Sequence, residues 1–305
     1  MLASRADSER ALAAWFGVVA IWSTTPITIK WTAEGLGPEL ALVGRTLIGA
    51  SVFLLFFLLP GMRFDHAPRV WRAGAVVATA YSVGMLLAYR SAPLIPSGLL
   101  SVVFGLSPLA TALLAAFVWR SEPLGAWKAL GTLLGFAGVA LIFGGGGELG
   151  PGALRGLLLA SSAMLINCLN LLTIKRIGRE IPVTSLTAAS VWLSAPAVTL
   201  IWWSSGGAVP TQVASRALWS LAWLGVAGSV FGFLLFYYAL KHMSATRVAL
   251  ITLVTPVTSL AIGHTFNAER LPPSVAAGTA LIIAGIALAT QFDRGVRLDF
   301  ARRQR

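Results

Sequence analysis

Residues 122–142, EPLGAWKALGTLLGFAGVALI, return 147 positions later as residues 269–289, ERLPPSVAAGTALIIAGIALA, with ten of twenty-one positions identical. Each copy closes one half of a chain made otherwise of nearly unbroken apolar segments, so the fold reads as one unit built twice. The likeness extends upstream. SPLATALLAAFVWRSE (107–122) aligns with TPVTSLAIGHTFNAE (255–269), setting Ser107-Pro108 against Thr255-Pro256, and at the same spacing of 148 Tyr89 falls against Tyr237. Thr28-Ile29-Lys30 and Thr173-Ile174-Lys175 fix a register in which Trp22 stands opposite Asn167 and Thr25 opposite Asn170.

Of the 305 residues, 57% are hydrophobic and 11% charged, with a mean hydropathy of +0.80. A water-soluble domain of this length does not carry that balance, so the chain belongs in lipid. Runs long enough to cross the roughly 30 Å of bilayer hydrocarbon fall near 12–30, 40–60, 73–92, 97–119, 124–144, 153–174, 183–203, 217–240, 245–266 and 272–292. Five precede the GGGGELGPG stretch at 144–152 and five follow it. Because five is odd, the second unit enters the membrane from the opposite face. The expected fold is an all-α integral membrane protein of ten transmembrane helices. Residues 1–148 form the first five-helix repeat; residues 149–305 form the second, inverted one, with a short basic tail.

The net charge of +12 invites a nucleic-acid reading, but the cations follow alternate loops. With the N-terminus cytoplasmic, 17 of the 23 Lys and Arg fall in cytoplasmic segments, five (Lys30, Arg90, Arg155, Arg216, Arg270) fall opposite, and Arg45 lies within the second span. That bias puts both termini in the cytoplasm of a multi-pass protein, expected in the plasma (inner) membrane. The tail then serves topology first and anionic lipid headgroups second, with the lipid bilayer and not nucleic acid as partner. The first apolar run follows Arg5 and Arg10 as in a signal peptide, yet carries Pro26 and Lys30 near its end and is read as a retained helix. One cysteine, Cys168, excludes a disulfide within one chain, and the three histidines lack metal-ligand spacing, so no metal or cofactor is expected.

At this point the residues carry a family resemblance. A ten-helix inverted duplication with a proline in helices four and nine (Pro108, Pro256), a glutamate about fourteen residues later (Glu122, Glu269) and a glycine-spaced closing helix resembles the EamA-type transporters of the drug/metabolite transporter superfamily. The resemblance implies a central cavity lined mainly by helices one, three, four, six, eight and nine, with five and ten packed together at one side. It leaves the substrate open.

All eleven acidic residues lie in tails, loops or span ends. A proton-driven pump normally titrates a group inside its pathway, and the glutamate that the small multidrug exporters of this superfamily carry in their first helix has no counterpart in residues 12–30. Phosphate-bearing substrates want several buried cations, and Arg45 is alone. Roughly 7 Å into its span, Arg45 is near enough to the surface to snorkel or to pair with Glu39 or Glu34; alternatively it draws a substrate carboxylate into the external vestibule. Glu122 and Glu269 are read as favouring the N-terminal dipoles of their own closing helices, with gating as the alternative.

Candidate substrate-facing residues are Trp22, which stands mid-span before Ser23, Thr24, Thr25 and Pro26; Asn167 and Asn170, whose amides need partners in lipid; the aromatic wall of Tyr81, Tyr89, Phe104, Phe233 and Tyr237; and Thr25, Ser107 and Thr255. Pro26, Pro108 and Pro256 are candidate hinges. No catalytic residue or metal ligand stands out, which argues against an enzyme. The expected function, from the resemblance, is export of a small polar or zwitterionic metabolite, an amino acid or analogue, by alternating access. A carrier of sugars or other uncharged solutes, or a drug exporter, is the alternative, with a channel or intramembrane enzyme behind. Monomer or homodimer stays open.

Overall fold

The computed structural model describes residues 5–118, 125–144, 149–177, 181–243, 248 and 250–291, with backbone alone at 5–8, 175, 233, 237, 240, 241, 290 and 291. Among the described residues every regular element is helical: α1 (Arg5–Leu36), α2 (Pro38–Leu58), α3 (Pro68–Ser91), α4 (Ser97–Gly105), α5 (Ser107–Leu113), a π-turn (Leu114–Val118), α6 (Ala126–Gly144), α7 (Ala153–Ile177), α8 (Val183–Ser204), α9 (Ser215–Trp223), a π-helix (Leu224–Phe231), α10 (Gly232–His242), α11 (Ile251–Asn267) and α12 (Pro273–Gln291). Eight stretches of the described residues, from Glu9–Leu36 to Ser215–Phe236, are long and apolar enough to cross a membrane, and Pro273–Ala289 is a shorter apolar helix. The apolar run at 245–266 is helical from Ile251, with residues 244–247 outside the described set.

The local chemistry sets these boundaries. α1 ends where Gly37 takes φ 82, a conformation that costs a residue with a Cβ, and Pro38 starts α2 with its φ already fixed. The fourth apolar run breaks at Leu106. Pro108 has no N–H for the Phe104 carbonyl, so it opens α5 in its first turn, and Ser107 Oγ donates to the released carbonyl at 2.6 Å. Pro26 and Pro256 instead lie inside continuous helices, so the bends expected alike in helices four and nine differ. The Pro256 ring faces Gly105, whose missing side chain leaves room for it.

Packing pairs the two halves in a regular way. Taken in order, α1, α2, α3, the α4–α5 rod and α6 correspond to α7, α8, the α9–α10 rod, α11 and α12. The principal interfaces survive exchange of the two sets: α3 packs on α7 and α8 as the α9–α10 rod packs on α1 and α2, while α2 meets α8, α4 meets α11, and α6 meets α12. The α6–α12 seam is the closest. A Cβ at Gly131 would overlap the carbonyl oxygen of Gly285, and one at Gly138 would sit 2.5 Å from that of Gly278. Glycine at these points lets the backbones touch, the usual device where lipid supplies no hydrophobic drive between helices.

Candidate functional site

One end of the bundle is tied together by a polar network. Glu269, 8% exposed, accepts from Ser97 N at 2.8 Å, Ser97 Oγ at 3.0 Å and Asn267 Nδ2 at 2.9 Å, and pairs with Lys30 Nζ at 3.6 Å. Lys30 also donates to the Ile95 carbonyl, and Trp31 Nε1 donates to Asn267 Oδ1. α1, α4 and α11 are thereby tied at one level. The N-cap of α4 is Pro96, which has no side-chain cap to give, so the carboxylate answers the unpaired N–H and positive dipole of that helix. This corrects the sequence reading. Glu269 does not serve its own closing helix, because α12 begins at Pro273 behind Pro272, and neither proline offers an N–H. Glu122 lies outside the described residues. A depression of about 300 Å³ at this end is lined in part by Lys30, Ile95, Glu269 and Arg270.

Deeper in the bundle stands Arg45, eighth residue of α2, about 10 Å along that helix at 1.5 Å per residue. It does not snorkel, and it pairs with neither Glu34 nor Glu39. Its exposure is 5%; Glu39 is held by Arg90 at 2.7 Å, and Glu34 faces Lys30 and Arg216. The rotation of α2 turns Arg45 inward. Nε donates to Ser229 Oγ at 3.1 Å, and Nη1 reaches Met85 Sδ at 3.9 Å. Tyr81 and Tyr89 both stand near the guanidinium. Tyr81, Met85 and Tyr89 are spaced by four on α3, one face of that helix. Tyr89 is fully buried beside Thr32, and its hydroxyl makes no hydrogen bond of ordinary geometry.

The π-helix delivers Ser229. Its Oγ donates to Leu224 O, five residues back, and Gly225 and Gly49 let α2 approach: a Cβ at Gly225 would overlap Ile48, and one at Gly49 would stand 3.3 Å from Ser229 Cβ. π-bulges of this kind collect at functional sites. Gly228 packs beside the cluster: a Cβ there would lie 3.6 Å from Arg45 Nη2 and from Leu224 Cδ2 and 3.9 Å from Thr25 Oγ1, ordinary contact distances.

The remaining candidates are spread. Thr25 is half-buried with its hydroxyl bonded back to Ile21 O, as Thr255 is to Ile251 O. Trp22 is half-buried, lies tilted against Phe236 at 5.1 Å between centroids and faces Gly232. Asn170 is buried with Oδ1 unpartnered, whereas Asn167 is exposed, so the two amides do not share an environment. Phe104 packs on the main core, and the Ser107 hydroxyl is engaged by the Phe104 carbonyl. The side chains of Phe233 and Tyr237 lie outside the described set. Sequence reasoning missed Ser229, Met85 and Gly228 around Arg45. It also missed a polar seam of α1 on α11, where the Ser23 and Thr258 hydroxyls bond and Ser259 Oγ donates to Ser23 O. The four-residue spacing of Tyr81, Met85 and Tyr89 was the signal available.

A doubled bundle of apolar helices with a buried cation and polar seams is a multi-pass membrane protein of the transporter class. The chain belongs to the EamA-like transporter family, which it matches over residues 10–144 and again over 154–291. It is 25% identical over 279 residues to an uncharacterized transporter of Archaeoglobus fulgidus, covering 88% of this chain and 94% of the relative. It is 28% identical over 266 residues to the uncharacterized transporter YvbV of Bacillus subtilis, covering 84% of each. A probable terminal-alkyne amino-acid exporter of Streptantibioticus cattleyicolor is 26% identical over 296 residues, 92% of this chain and 96% of that one. A solved crystal structure covers 95% of this chain and 99% of its own, with a TM-score of 0.65 and 23% identity, a likeness of fold.

Proposed function

We propose that this protein is a secondary carrier exporting a small polar or zwitterionic metabolite, an amino acid or an analogue, by alternating access. Its frame is ten transmembrane helices in two inverted five-helix repeats, set in the plasma membrane with both termini cytoplasmic. The twofold family match, the interfaces that survive exchange of the halves and the 17-to-5 bias of cations support that frame. The relation to a probable amino-acid exporter favours the substrate class.

One observation carries the mechanism: the interfaces between the halves survive their exchange. The end that Glu269 ties, where α1 packs against α3 and α4, is the closed one in this arrangement. Two copies of one design that meet through like interfaces are what a rocking carrier needs, and their tilting moves the opening across the bilayer. Trp22, Thr25, Tyr81, Tyr89 and Asn170 are the groups assigned to the substrate, and Pro26, Pro108 and Pro256 the points about which the helices adjust.

Counterflow tests this reading. Liposomes holding the purified protein and loaded with one unlabelled L-amino acid should transiently concentrate a labelled trace of the same compound. Simple equilibration, or no flux across the amino acids, marks the reading as wrong; concentration of glucose instead moves the substrate class.

A further inference from the structure

We propose that Arg45 is the docking point for a substrate carboxylate, held between α1, α2, α3 and the π-helix, so that the transported solute carries one carboxyl group. This rests on the carrier reading above and gives it a substrate chemistry. The guanidinium is 5% exposed and always charged. Hydrogen bonds to Ser229 and Met85 use two of its five N–H groups, and the second acceptor is a thioether, among the weakest available. No described carboxylate neutralises it. Asp65 pairs with Arg69, Glu39 with Arg90, Glu34 with Lys30 and Arg216, and Glu269 with Lys30. A charge buried without a partner is destabilising by several kcal/mol, so a protein that keeps one gains something from it elsewhere.

The surroundings supply the rest of an anion site. Tyr89 is fully buried with its hydroxyl in reach of the guanidinium and of Thr32, and with neither does it make a hydrogen bond of ordinary geometry, so a carboxylate oxygen is a better partner than either. Gly228 brings the backbone of the π-helix beside Arg45 Nη2 and Thr25 Oγ1. One guanidinium matches one carboxylate through two parallel N–H···O bonds. Phosphate esters, with twice the charge, want more cations than this cluster holds. The tyrosines give the rest of the solute apolar faces. The site is inside the bundle and not in an external vestibule, so the carboxylate is bound where the two access routes meet.

The test is ligand binding to the purified full chain, read by thermal shift and titration calorimetry. The probes are the twenty amino acids, acetate, lactate and succinate, with glucose as uncharged control and the carboxamide of every amino acid that binds. The proposal expects at least one carboxylate to bind and its carboxamide to bind roughly 30-fold or more weakly, the scale of losing one partner of a buried charge pair. Arg45→Gln should lose most affinity for the acid and leave the carboxamide unchanged; Arg45→Lys should recover part of it. Ser229→Ala, a smaller perturbation, should weaken the acid severalfold and spare the amide, and it decides the matter should Arg45→Gln fail to fold. A purely structural arginine lowers the melting temperature without changing the acid-to-amide ratio, and that result overturns the proposal. So does equal binding of acid and amide, or no binding by any carboxylate probe. Glucose counterflow unaffected by Arg45→Gln removes the anion site and keeps the carrier, whereas acid binding that needs Arg45 but gives no counterflow removes the carrier and keeps the site.

Discussion

Glu269→Gln should loosen the closed end of the bundle, and the structure sets the scale. The carboxylate, 8% exposed, accepts from Ser97 N, Ser97 Oγ and Asn267 Nδ2 and faces Lys30 at 3.6 Å. Glutamine keeps one acceptor oxygen and the same volume. It loses the charge that strengthens the bonds to Ser97, and it leaves Lys30 with the Ile95 carbonyl and the more distant Glu34 at 4.0 Å. Hydrogen bonds to charged groups contribute about 1.5–3 kcal/mol each against 0.5–1.5 for neutral ones. Weakening two of them, and the Lys30 pair, sums to about 2–3 kcal/mol against the closed arrangement. At 1.4 kcal/mol per tenfold, the closed-to-open ratio falls roughly 30- to 140-fold. Ser101, 8% exposed and one turn along α4 from Ser97, reports on it. In detergent, with Cys168 replaced by alanine, Ser101→Cys should react slowly with a bulky maleimide, and adding Glu269→Gln should raise the rate by at least tenfold. A rate within twofold of the parent, in protein that stays folded, refutes the reasoning.

Other consequences are separable. Gly138→Ala places a Cβ 2.5 Å from Gly278 O in the α6–α12 seam, whereas Gly144 has nothing within 4 Å; thermal unfolding should show a loss of about 1–3 kcal/mol for the first and none for Gly144→Ala, and equal effects would contradict the seam. Cys168 is 1% exposed with Sγ 3.5 Å from Ser107 O. It should react with a thiol reagent at least a hundredfold more slowly in native protein than in dodecyl sulfate, and rapid native reaction would show that α7 does not pack on the α4–α5 rod as described. Ser107→Ala leaves the Phe104 carbonyl without its hydroxyl donor at 2.6 Å, so stability should fall by about 1 kcal/mol; no change would place the proline break elsewhere.

Much of the architecture was legible because lipid leaves few choices: each apolar run of about 20 residues must satisfy its backbone internally, so runs become helices. The glycine spacing of the closing helices has a physical basis: Gly131 and Gly138, like Gly278 and Gly285, stand seven residues apart, and the structure seats the two pairs against one another. Arg45 was not legible. Counting residues into a span measures depth and not direction, and direction here depends on how α2 is rotated against a π-helix that periodicity at 3.6 does not announce. Glu269 was misassigned for a related reason. Its place in the chain suggests service to the helix that follows, yet that helix opens with prolines, and the unpaired N–H it meets belongs to Ser97, 172 positions away. Asn167 and Asn170 show the same limit: three residues apart, one is buried and the other exposed.

The central claim is that equivalent parts of the two halves lie on opposite faces of the membrane. The connection after α2 and the connection after α8 are equivalent, and both offer exposed positions, Arg63 and Val209. In intact cells carrying Cys168→Ala, a membrane-impermeant maleimide should label Val209→Cys from outside and reach Arg63→Cys only after the membrane is opened. Labelling of both from the same side contradicts the inverted repeat, and with it the carrier built on that repeat.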